Sequence, residues 1–183
     1  MSICYPPPAK LGFSLVELSI VLVILGLLAG GIIQGQSLIR AAELRSITSD
    51  VQRYTAAVYT FRDKYFALPG DMRNATDFWP SSSGVTTYNG DGDGVVERHH
   101  EHTRAWQHLA LAGLVEGSYE SFETNTGGLT AGVHLPAGPF NGGFEIVSDF
   151  QISFGTSLAG DTRRHDDAVL PAADAWSIDQ KMD

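Results

Sequence analysis

In the stretch NGDGDGVVE, Asn89 to Glu97, oxygen-bearing side chains recur at alternate positions, Asn89, Asp91 and Asp93, and Gly94 follows where the chain can turn tightly. A hard divalent cation such as calcium takes several oxygens at once. Alternate side chains of a curled loop, with the Val95 carbonyl, can converge on one such ion. An EF-hand loop would end on a bidentate glutamate where this chain has His100; Glu97 comes early and Glu101 one place late, and either closes a variant shell. The expected ligands are therefore Asn89, Asp91, Asp93, Val95, Glu97 and Glu101, and the expected cofactor is calcium. The same residues also form a solvated turn without an ion, because Asn, Asp and Gly tolerate left-handed backbone. The sequence leaves both readings open.

Other chemistry is poorly supported. His99, His100 and His102 in HHEH offer imidazoles, but adjacent histidines point apart on any regular element, the pattern is not H-E-x-x-H, and no cysteine helps. His165, Asp166 and Asp167 read as a solvated loop. The only cysteine, Cys4, lies near the N-terminus, so no intramolecular disulfide can form. There is no G-x-S-x-G and no phosphate-cradling glycine motif, so an enzyme is not expected. A net charge of -9, with acids spread along the chain, argues against a nucleic-acid binder. Trp79, Trp106 and Trp176 read as core or subunit contacts rather than a binding platform.

A different kind of signal stands in KLGFSLVELSIVLVILGLLAGG, Lys10 to Gly31, where the acid Glu17 interrupts an apolar run. Leu18 to Ile33 carries no charge, and the 21 residues from Phe13 to Ile33 span roughly 31 Å as a helix, the thickness of a bilayer core. A cleaved secretory signal, a permanent anchor and a segment trimmed just ahead of the apolar run all fit that length. Glu17 separates them. A carboxylate in a spanning helix costs up to about 2.5 to 3.5 kcal/mol at mid-membrane, so an ordinary signal or anchor gains nothing from it. Cleavage after Gly12 would create a cationic amine at Phe13, and a neighbouring subunit's amine could then neutralise Glu17 within a bundle of apolar helices.

Gly12, Phe13, Ser14, Leu15, Val16 and Glu17, after a short leader containing Lys10, resemble the prepilin peptidase site of type IV pilins and type II secretion pseudopilins. The resemblance implies cleavage between Gly12 and Phe13, N-methylation of Phe13, and assembly into a helical filament with Glu17 paired to a neighbour's N-terminus. The leader departs from the pattern in that Leu11 separates Lys10 from Gly12, and Pro6 to Pro8 make it extended. FRDKYFALPGDMRNATDFW and RAWQHLALAGLVEGSY also resemble stretches of a bacterial subgroup of prepilin-type proteins. That subgroup runs on past an acidic, glycine-bearing ending like this one, which implies a truncated chain at Asp183.

The elements that must position these residues follow from periodicity. Gly26, Gly30, Gly31 and Gly35 suit either close helix packing or local unwinding. Beyond them, Leu44, Ile47, Val51, Tyr54, Val58, Phe61 and Tyr65 form one apolar stripe at steps of three and four. Leu68, Pro69 and Gly70 should end this helix. A second helix is expected from Glu101 to Val115, with Gly113 and Gly117 about its end. Leu129 to Leu135 and Gly143 to Phe154 alternate as antiparallel strands on either side of PAGPFNGG. LPAADAWSIDQKMD reads as a short terminal helix.

The expectation is thus an α+β, pilin-like fold: a long N-terminal helix, membrane-spanning in its first half, packed on a small antiparallel-sheet head with one or two extra short helices. The divisions are leader 1–12, assembly helix 13–35, amphipathic continuation 36–66 and head 67–183. The function expected is a filament subunit of a type IV pilus or type II secretion pseudopilus. Its partners would be prepilin peptidase, other subunits and the bacterial inner membrane, with the head in the periplasm or on an extracellular filament. The alternatives are a single-pass anchor displaying a calcium-binding head that does not polymerise, and a secreted hydrolase cut after Ala29.

Overall fold

The computed structural model of the chain describes residues 12, 14–82, 85–96, 100–123, 129–147 and 151–155. The helix α1 runs from Leu15 to Tyr65 and is unbroken through Gly26, Gly30, Gly31 and Gly35. The chain divides into two units within it, Met1–Ala42 and Glu43–Asp183. In the first unit the apolar side chains from Leu15 to Ile39 are exposed to solvent, and the segment is long and apolar enough to cross a membrane. Nothing in that unit covers them among the described residues.

In the second unit the same helix becomes one-sided. Leu44, Ile47, Tyr54, Ala57, Val58 and Phe61 are buried, with Val51 and Tyr65 packed against them. This is the stripe expected from the period of 3.6. Tyr54 meets the edges of Trp106 and Phe144 at centroid distances of 4.9 and 5.1 Å, so the helix, the next long helix and the sheet share one core. Trp79 packs against that core and Trp106 lies inside it, whereas Trp176 lies outside the described residues.

α1 ends at Tyr65, earlier than Leu68–Gly70, because Phe66 enters the left-handed region at φ 54° and turns the chain. A short helix unforeseen from the sequence, α2, follows at Ala75–Phe78. α3 spans Glu101–Leu111 and stops short of Val115. Its end is a Schellman arrangement: Gly113, at φ 71°, donates to the Ala110 carbonyl at 2.9 Å and Leu114 to the Leu109 carbonyl at 3.0 Å, closing the last turn.

The sheet differs more from expectation. Gly143–Val147, β1, pairs antiparallel with Gln151–Gly155, β2, in the register Gly143 to Gly155. The segment 143–154 is therefore two strands rather than one. Leu129–Leu135 is no strand: Val133 and His134 both donate to the Thr130 carbonyl, and Gly132 sits at φ 84°, so its hydrogen bonds close a local turn and leave one isolated bridge from Ala131 to Leu135. Pro139–Asn141 in PAGPFNGG forms a tight turn in which Phe140 and Asn141 both enter the left-handed region at φ 57°. The architecture is a pilin-like α+β fold, a long apolar N-terminal helix with short helices and a small antiparallel sheet. The expected terminal helix and His165–Asp167 lie outside the described residues.

Candidate functional site

At the head of α1, Ser14 and Glu17 serve each other's turn. The Ser14 hydroxyl accepts the Val16 N–H at 3.3 Å, while the Glu17 carboxylate reaches back to accept the Ser14 N–H at 3.0 Å. This is a capping box, S-x-x-E, which satisfies two backbone donors that the first helical turn leaves without partners. Glu17 is therefore engaged within its own chain, a use that the S-L-V-E spacing itself signals and the membrane argument overlooks. A carboxylate with two oxygens can hold the Ser14 N–H and still receive an amine. Gly12 is exposed, and Phe13 lies outside the described residues.

The second constellation is in the head. Carboxylate oxygens of Asp71, Asp91 and Asp93 lie within 4.8 Å of one another. Asp71 comes from the turn after α1 and is 5% exposed; its two oxygens accept the N–H of Asp93 at 3.1 Å and of Gly94 at 3.0 Å. Burial pushes its carboxyl above the ordinary range, against the lowering effect of the Gly94, Gly92 and Asp93 amides, and the neighbouring Asp93 charge adds to the rise. Asp91 accepts the Asp93 N–H at 3.0 Å, and Asp93 accepts the Val95 N–H at 2.8 Å, so the loop curls on its own side chains.

Of the residues expected to share an ion, the fold gathers Asp91 and Asp93 and adds Asp71. Asn89 turns elsewhere: its amide accepts the Thr76 N–H at 2.9 Å and donates to the Thr76 hydroxyl at 3.1 Å, bracing the start of α2. Glu101, 2% exposed, accepts the Asp91 N–H at 3.3 Å and so supports the loop from behind. Val95 contributes its N–H, and Glu97 lies outside the described residues. Asp71 precedes the loop by many residues and carries no local signal. Only the fold identifies it.

The loop is held by close backbone approach. The Gly90 N–H donates to the Met72 carbonyl at 2.8 Å, and a Cβ on Gly90 would lie 2.3 Å from the Asp71 backbone. Arg73 donates to the Asp91 carbonyl and, at 3.1 Å, to that of Gly92. Arg104, nearly buried, reaches the Asn89 carbonyl at 2.7 Å from α3. The fully buried His108 ties α3 to both ends of this region: Nδ1 accepts the Gly70 N–H and Nε2 donates to the Tyr88 carbonyl, each at 3.0 Å. Burial lowers its pKa from 6.5 to about 4, so it stays neutral with the proton on Nε2.

Residues 8–33 match the family described as the prokaryotic N-terminal methylation motif. That motif is the signature of the prepilin-type segments of type IV pilins and pseudopilins. No curated protein and no solved structure matches the chain. Its N-terminal segment is thus of the prepilin type, and the helix that it enters is long and apolar enough to cross a membrane.

Proposed function

We propose that the protein is a structural subunit of a type IV pilus or type II secretion pseudopilus, cut between Gly12 and Phe13, methylated at Phe13 and polymerised through the first half of α1. The observation that carries this reading is the methylation motif at 8–33 opening a helix whose apolar side chains from Leu15 to Ile39 are all exposed. Lipid covers such a helix in the stored subunit, and neighbouring helices of the same kind cover it in a filament. Glu17 keeps one oxygen on its own helix cap and takes the neighbour's Phe13 amine with the other, which sets register at the cost of burying a charge. The head lies in the periplasm or on the extracellular filament, tethered to the bacterial inner membrane until assembly. The protein performs no catalysis.

The head carries a calcium site as part of the same proposal. Burial raises the Asp71 carboxyl and the neighbouring Asp93 charge adds to the rise, and a divalent cation, which prefers hard oxygen ligands, would offset both costs. Asp71, Asp91 and Asp93 would hold it, with Glu101 supporting the loop.

Mass analysis of the N-terminus of membrane-extracted protein tests the central claim. A chain beginning at methylated Phe13 is the expected result. A chain still beginning at Met1 and remaining monomeric in the membrane overturns it in favour of a simple anchor.

A further inference from the structure

A cleft of about 530 Å³ opens in the head, within the size range of small-molecule sites. Its two walls come from the segments 85–88 and 118–121, and Gln107 of α3 lies between them. Gln107 is 2% exposed and spans the gap: its amide N–H donates to the Thr86 carbonyl at 2.9 Å, and its amide oxygen accepts the Ser121 hydroxyl at 2.9 Å. The width of the cleft is thus set by one buried side chain. Arg104, three residues earlier on α3, ties the same two stretches beyond the cleft, donating to the Asn89 carbonyl at 2.7 Å and to the Phe122 and Glu123 carbonyls at 3.4 and 3.3 Å.

Those contacts decide which groups remain for a ligand. The Thr86 carbonyl is taken by Gln107, the Tyr88 carbonyl accepts from His108 at 3.0 Å, and the Glu120 N–H donates to the Val133 carbonyl at 2.8 Å. A peptide adding as a strand, which needs such main-chain groups, finds them engaged. Side chains remain. Ser118 and Glu120 are exposed on either side of the buried Tyr119, and Thr86 is exposed beside the buried Thr87, so a hydroxyl on each wall and one carboxylate line the cleft. The half-buried Tyr88 joins them, with the Arg104 guanidinium 5.5 Å from its ring centroid. Glu120 is the only charged side chain on the cleft among the described residues. The other acids of that loop face cations of their own head: Glu116 and Arg53 both act on Tyr119, and Glu123 acts on Arg104.

We infer that this cleft binds a short neutral saccharide. Hydroxyls that both donate and accept, as on Thr86 and Ser118, match the hydroxyls of a sugar, and the Glu120 carboxylate can accept from two neighbouring ones at once. The Tyr88 ring offers an apolar surface to the C–H face of a pyranose and a phenol to its rim. A lone carboxylate gives no purchase to an anion. The two walls, already spaced by Gln107 and Arg104, lose little freedom when such a ligand enters. Because every group involved lies in the head, the site is independent of whether the chain polymerises.

The test titrates maltotriose, cellotriose and chitotriose into the full chain, held in a detergent without a sugar headgroup, and follows binding by saturation-transfer NMR. Trialanine serves as the peptide probe. The expected result is saturable binding of at least one trisaccharide at or below about 10 mM, and none of trialanine. Thr86→Val and Glu120→Gln, both at exposed positions, should each weaken that binding about tenfold with the melting temperature unchanged, while Thr60→Val on α1 should leave it as it is. No binding of any of the three sugars overturns the site. Sugar binding indifferent to both cleft variants overturns its location, and binding of trialanine in place of the sugars overturns the ligand class.

Discussion

Acid should loosen the head through His108. In the folded chain its pKa lies at about 4 against an ordinary 6.5, because the ring is buried between Phe61 and Trp79 and must remain neutral to accept from Gly70. As pH falls below 6.5 the unfolded chain takes up a proton that the folded chain refuses, so stability is present near neutrality and declines until the folded pKa is reached. At 1.36 kcal/mol per unit, the loss is about 2 kcal/mol by pH 5 and about 3 kcal/mol by pH 4. His134, also lowered by burial and accepting the Thr130 N–H at 3.0 Å, adds in the same direction. Asp71, raised in the folded head, opposes the trend at the acid end of the range. The assay is urea unfolding of detergent-solubilised chain with chelator present, followed by tryptophan fluorescence, at pH 7, 5 and 4. His108→Gln, which keeps a donor and an acceptor but does not titrate, should start less stable and lose most of the slope. A wild-type midpoint that is flat between pH 7 and 5, or a variant with an undiminished slope, refutes the reasoning.

Four further outcomes are expected. Glu17→Ala should insert in the membrane but assemble poorly, and Glu17→Gln, which retains the cap without the charge, should also assemble poorly; pelleting of sheared filaments distinguishes these from wild type. Calcium at a hundredfold excess over its dissociation constant should stabilise the head by about 2.7 kcal/mol, and Asp71→Asn should abolish the shift, whereas identical melting curves with calcium and chelator remove the site. Gly70→Ala should cost more than about 2 kcal/mol in a urea titration, since the residue sits at φ 92° and its Cβ would lie 2.3 Å from the Glu101 carbonyl oxygen. Phe66→Gly should stabilise the isolated subunit by up to about 1 kcal/mol, read as a higher melting temperature, by relieving the left-handed strain.

The parts of the fold legible in the sequence are those governed by short-range period. The stripe from Leu44 to Tyr65 buries as its spacing requires, because a helix repeats its environment every few residues. Elements decided by a single dihedral were misplaced: Phe66 ends α1 early in a conformation no residue preference suggests, and Gly132 turns an alternating segment into a local reversal. Alternation from Gly143 to Phe154 likewise describes a hairpin as well as it describes one long strand, since both preserve a period of two.

The acid cluster shows where such reading must fail on physical grounds. Asp91 and Asp93 are two residues apart, and their mutual approach is a property of the loop. Asp71 reaches them because Gly90 has no side chain to hold the Asp71 backbone away and because His108 fixes the adjoining Gly70 and Tyr88 from α3. Each of those contacts joins residues many positions apart. The two capping residues at the start of α1 present the opposite case: Ser14 and Glu17 meet through one helical turn, so their pairing is written in the spacing even though a charge is out of keeping with its apolar setting. In the proposed filament, a carboxylate that caps its own helix before assembly would arrive already oriented. The neighbour's amine then meets an acceptor whose position the first turn has set, which is why removing the charge alone should impair assembly while leaving the helix intact.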